Sequence, residues 1–128
     1  MKHKIFIKWI YAIKDEQEGV RILVDRILPH GRDLHDLGVH TWYQQASPST
    51  ALKRQLTKGL IDWKNFANSY REELHQQPKK LLVLMEMLEK DNITLLTADR
   101  EPEQTWLPLL KDLLEARIKN IVTSRSSH

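Results

Sequence analysis

Two short apolar runs, Ile22-Leu23-Val24 and Ile93-Thr94-Leu95-Leu96-Thr97, each give way within two residues to an Asp-Arg pair, Asp25-Arg26 and Asp99-Arg100. A short apolar run closed by polar and turn residues suits a strand buried on both faces, the situation of a parallel sheet with a layer on each side. Two further runs fit the same sheet. Residues 4–12 are rich in Ile, Phe, Trp and Tyr and end at the polar segment Lys14 to Gly19, and Val39 to Gln45 forms the third strand in chain order.

Between and after these runs the periodicity changes from two to three and four. Arg32 to Gly38 has room for about one helical turn, with Gly38 placed to take a left-handed conformation. Ser47-Pro48-Ser49-Thr50 precedes a short helix, because a serine oxygen there can accept from the first free amides. From Ile61 onward, Trp63, Phe66, Ala67, Tyr70 and Leu74 gather on one face of an amphipathic helix. Pro78 opens the next helix, since its missing N–H costs nothing in a first turn. The last helix carries Trp106, Leu109, Leu110, Leu113 and Leu114 in step, with Thr105 as a candidate cap. Strands alternating with helices predict an α/β fold, a three-layer α/β/α sandwich whose mostly parallel sheet has about four strands. At 128 residues the chain holds one domain. We place it at 1–122, with a flexible tail over 123–128.

Composition narrows the functional classes. With no cysteine, structural disulfides, thiolate zinc sites and cysteine nucleophiles are excluded, and cytoplasmic residence is the default. No apolar stretch approaches the length of a membrane span. The formal charge of +3 is uneven: residues 1–64 hold 11 Lys and Arg against 7 Asp and Glu, while residues 65–128 hold 9 against 10. That asymmetry leaves nucleic acid only as a weaker alternative, since such binding ordinarily shows a denser basic face. The sequence contains no Gly-x-Ser-x-Gly elbow and no glycine-rich phosphate loop, so a hydrolase triad or nucleotide cofactor is not expected. His35 and His40 lack a helical metal-binding spacing, and we assign no metal and no cofactor.

In a parallel sheet, ligands bind beyond the carboxyl ends of the strands. Both Asp-Arg pairs and the loop holding Ser47 and Ser49 fall there. The candidate site therefore comprises Arg26, His30, Ser47, Ser49, Asp99 and Arg100 as ligand-binding residues, with Asp25 as the candidate catalytic acid or base. Guanidiniums and helix amides favour a small anion such as a phosphate or carboxylate. The competing expectation is that Asp25 and Arg100, or Asp99 and Arg26, neutralise each other and pin the loops, in a non-catalytic interaction module whose partner is another protein or a second copy of the chain. Trp63, Phe66, Tyr70 and Trp106 are assigned to the core. Of Trp42 and Tyr43, one side chain should enter the core and the other face outward. Lys53-Arg54 and Lys79-Lys80 are read as solvated helix faces.

Arg21 through Gly31, Ser47 to Lys53, Trp63, Phe66, Tyr70 to Leu74 and Ile93 to Ala98 together resemble the domain of unknown function 488 family, in its YeaO-like branch. The resemblance covers about residues 5–116 and implies an α/β fold and a small bacterial protein without an established activity. It also exposes departures. The second Arg of the branch's Asp-Arg-x-Trp-Pro-Arg-Gly pattern is His30 here, which exchanges a fixed planar cation for a titratable group. The Gly-His-Asp before the long helix is replaced around Leu56 to Ile61, and the Asp-x-x-His-Asn after the last strand reads Asp99 to Gln104. The resemblance thus implies a site that has lost part of its polar equipment.

Overall fold

The computed structural model describes residues 3–126, with side chains through residue 121. Four strands, β1 (Ile5–Trp9), β2 (Val20–Leu23), β3 (Thr41–Trp42) and β4 (Ile93–Thr97), form one sheet in the order β1-β4-β2-β3, and every neighbouring pair is parallel. All four carboxyl ends consequently lie on one edge. The four helices are α1 (Thr50–Thr57), α2 (Trp63–Gln76), α3 (Pro78–Lys90) and α4 (Leu107–Ser126). This is the expected α/β architecture and parallel four-stranded sheet. Expectations for the tail over 123–128 concern residues whose side chains, and for 127–128 whose backbone, lie outside the described part.

Alternation along the strands divides the sheet into two faces. Ile5, Ile22, Val24, Ile93 and Leu95 share one apolar cluster with Leu52, Phe66, Tyr70, Leu74, Leu81, Leu84, Leu88, Leu107, Leu110 and Leu114 from the four helices. Ile10, Leu23 and Leu96 form a second, smaller cluster with Leu37, and Leu34 and Val39 pack against it. The layer covering this second face is thus turns and loops between β1 and β3, not a long helix. β4 is central, and all five of its residues are buried.

Local chemistry explains the helix starts. Ser49 Oγ accepts from the Leu52 amide and caps α1, Asp62 accepts from the Asn65 amide and caps α2, and Pro78 stands in the first turn of α3. Thr105 Oγ1 accepts from the Leu107 amide at the start of α4. β3 is shorter than the predicted Val39 to Gln45, because after Trp42 the backbone leaves the sheet and Gln44–Ala46 turn as a 3-10 helix. Of the adjacent aromatic pair, Tyr43 donates to the Lys80 carbonyl on α3, while Trp42 stays exposed and donates to the Asp25 carbonyl.

Candidate functional site at the carboxyl edge

Beyond the carboxyl ends of β2 and β4 lies an open cleft of about 420 Å³. Its polar lining consists of Asp25, Asp99, Lys53, Thr97, Gln104 and Thr105. Ile27, Leu56, Trp63 and Trp106 supply the apolar part. A second hollow of about 230 Å³ shares Trp63, Gln104 and Thr105 and continues to Glu103, Pro108 and Leu109 at the start of α4.

Each side chain reaches this edge for a local reason. Asp25 follows β2 directly, and its Oδ2 accepts from the Ala98 amide at 2.8 Å, tying the end of β2 to the end of β4. Asp99 folds back on its own turn, accepting from the Glu101 amide at 3.0 Å while its own amide donates to Thr97 Oγ1. Trp63 opens α2 and stacks on Phe66 with ring centroids 5.2 Å apart, yet 45% of it is exposed. Assignment of Trp63 to the core therefore needs correction: its indole covers the core with one face and stands at the rim of the cleft. Trp106 is buried as predicted, packed edge-on against Tyr70.

Of the residues expected at the site, the structure brings Asp25 and Asp99 into the cleft lining and leaves the others outside it. Arg26 Nη2 donates to the Pro48 carbonyl at 3.2 Å, and its buried Nε has no acceptor among the described residues. Arg100 lies 5.5 Å from the centre of the Trp9 ring. His30 is exposed on the loop after β2. Ser47 is buried and its hydroxyl donates to the Gln44 carbonyl, while Ser49 donates to Glu73 at 2.5 Å and its amide donates to the same carboxylate at 2.9 Å. Among the described residues, no Asp25–Arg100 or Asp99–Arg26 ion pair forms within 4.0 Å. The loops are pinned by carboxylate-to-amide and guanidinium-to-carbonyl bonds instead. Lys53, read as part of a solvated face, is half-buried and lines the cleft.

The tightest charge cluster lies elsewhere, under the loop-covered face. Glu18 and Arg21 are 3% and 4% exposed and pair directly. Glu18 Oε2 also accepts from Lys8 Nζ at 2.8 Å and from the Asp15 amide at 2.6 Å, and Arg21 donates to the carbonyls of Gly38 and Leu37. Burial alone would raise the Glu18 carboxyl, but the bonds from Lys8 and Asp15 and the Arg21 charge hold it below the ordinary glutamate range. Glu18 sits in the segment expected to be a polar turn; only its partners from β1 and β2 explain its burial. Tyr70, on the helix side, donates to the Ala46 carbonyl at 2.5 Å, and burial together with the nearby Glu73 charge raises its phenol well above the usual range.

A family model described as the inactive DUF488-N3 subclade matches residues 4–127. The chain belongs to that subclade. Among the relatives of this DUF488 chain, Escherichia coli YeaO is 30% identical over 109 residues, covering 85% of the present chain and 95% of YeaO. Rv3073c of Mycobacterium tuberculosis and Mb3100c of Mycobacterium bovis are each 31% identical over 114 residues, covering 89% of the chain and 96% of theirs. All three bear the name uncharacterized protein. No solved structure matches the chain. Among the described residues, no helix of this DUF488 member is long and apolar enough to cross a membrane.

Proposed function

We propose that this DUF488 protein is a non-catalytic, cytoplasmic binding module that takes a small ligand into the carboxyl-edge cleft without transforming it. The observation that carries this reading is an open cleft whose lining holds two amide-fixed carboxylates but, among the described residues, no hydroxyl paired with a side-chain base. Asp25 and Asp99 are each oriented by a backbone amide, the hydroxyls of Thr97 and Thr105 meet backbone groups, and Ser47 and Ser49 lie outside the lining. A nucleophilic hydroxyl needs a base within hydrogen-bond reach to activate it. The description of the matching subclade as inactive supports the same reading. A volume of about 420 Å³ falls within the range of small-molecule sites.

A second reading keeps the expected anion, displaced from the cleft to Arg26, and one observation favours it: among the described residues, the buried Arg26 Nε has no acceptor. A thermal-shift panel of phosphates, nucleotides, small carboxylates, amines and guanidines separates the two. A ligand at 100 times its dissociation constant adds about 2.7 kcal/mol to stability. The cleft reading expects a response that is lost when Leu56→Trp fills the cleft. A response that survives this filling and disappears in Arg26→Ala favours the second reading, and a panel without any response overturns both.

A further inference from the structure

We infer that the cleft selects an organic cation, an ammonium or guanidinium group carried on an apolar body; this rests on the reading of the cleft as a ligand site. The two hollows that meet at Trp63 are lined by three carboxylates, Asp25, Asp99 and Glu103, against the single ammonium of Lys53. The guanidiniums on which an anion site was expected are directed elsewhere, Arg26 to the Pro48 carbonyl and Arg100 to the Trp9 ring. The lining therefore carries more carboxylates than ammonium groups, although the whole chain is positive.

Geometry sharpens this choice. The Asp25 and Asp99 carboxylates are each oriented by an amide, at 2.8 Å and 3.0 Å, through one oxygen, and among the described residues neither forms an ion pair. A carboxylate oxygen has further lone pairs beyond those used here, so both retain capacity for an N–H donor. Beside them, Phe66 supports the Trp63 ring from one side and leaves the indole partly open, and Trp106 contributes to the same wall. Aromatic faces beside fixed carboxylates are the chemistry that recognises desolvated ammonium and guanidinium groups. Ile27, 79% exposed, and Leu56 offer contact to an apolar body. The same surface is poor for an anion, which would meet the carboxylates, and for a purely apolar ligand, which would desolvate them without a partner.

Calorimetric titration of the full chain at neutral pH and low salt tests this with phenethylamine and benzylguanidine, against the neutral 2-phenylethanol and the anionic phenylacetate. The expected result is saturable binding of the two cations, with 2-phenylethanol weaker by about tenfold or more, the size of one lost charge-assisted hydrogen bond. Asp25→Asn keeps an acceptor for the Ala98 amide and is expected to weaken phenethylamine by a similar factor, as is Asp99→Asn, while Asp112→Asn on the exposed side of α4 leaves it unchanged. N-acetylarginine amide distinguishes a free amine from a protein side chain as the source of the cation, and binding of either supports the class. Equal affinity for phenethylamine and 2-phenylethanol, both lost in Leu56→Trp, overturns the cation and leaves the cleft reading standing. Preference for phenylacetate does the same. Absence of binding by every probe overturns the inference, and only a silent thermal-shift panel overturns the cleft reading with it.

Discussion

The two ends of β2 carry charge under opposite conditions. At its start, Arg21 and Glu18 are sealed beneath the loop layer, and each charged group has several partners. At its end, Asp25 uses one oxygen to hold β4 and lines an open cleft. A charge withdrawn from water must be paired and hydrogen-bonded, whereas a charge at a rim needs only to be positioned. The first arrangement stabilises one packing of the loops; the second leaves capacity for something outside the chain.

The largest effect should come from breaking the sealed end. Arg21→Ala leaves the buried Glu18 with Lys8 in place of two counter-charges and strands the partners of the guanidinium, and is expected to destabilise by about 3 to 5 kcal/mol, measured by urea unfolding. A loss below about 1 kcal/mol would mean that water reaches this cluster and that the two ends differ little.

The pH dependence follows from the same cluster. The folded Glu18 carboxyl lies below its unfolded value, so its stabilising contribution is present above about pH 4.3 and is lost as pH falls through the folded value. Acid unfolding should therefore be less steep in Glu18→Gln than in the parent below about pH 4. Equal slopes would remove Glu18 from the account.

Two glycines sharpen the contrast at smaller scale. Gly19 has φ +64° and its backbone lies so close to the Asn92 carbonyl that a Cβ would sit 2.0 Å from the oxygen. Gly31, in the loop after β2, has φ +73° with nothing within 4 Å of an added Cβ. Gly31→Ala should cost only the left-handed penalty of about 1 to 2 kcal/mol, and Gly19→Ala clearly more. Comparable melting temperatures for the two variants would contradict the closed-versus-open distinction. The smallest effect is expected for Asp25→Asn, under about 1 kcal/mol, because the amide oxygen still accepts from Ala98.

The sequence made some of this legible and hid the rest for physical reasons. Ile93 to Thr97 reads as a strand and is one, because all five residues are buried between two layers. Ser49 or Ser47 reads as a cap, and Ser49 is the one that caps, through a bond that spans only three residues. Asp25 was visible as an edge residue, but its partner is an amide 73 positions away, which no local pattern announces. Trp63 shares a helical face with Phe66 and Tyr70, and periodicity cannot say where the covering layer stops. Glu18 looks like part of a polar turn, and its burial depends on Lys8 and Arg21 arriving from two strands.

The most direct test of a cation-accepting carboxyl edge beside a sealed charge cluster is an NMR titration with phenethylamine. The side-chain Nε–H signals of Trp63, Trp106 and Arg21 are followed together. The predicted result is saturable movement of the Trp63 and Trp106 indole signals while Arg21 Nε stays in place. Movement of Arg21 with the tryptophans unmoved, or no movement of any of the three, would contradict it.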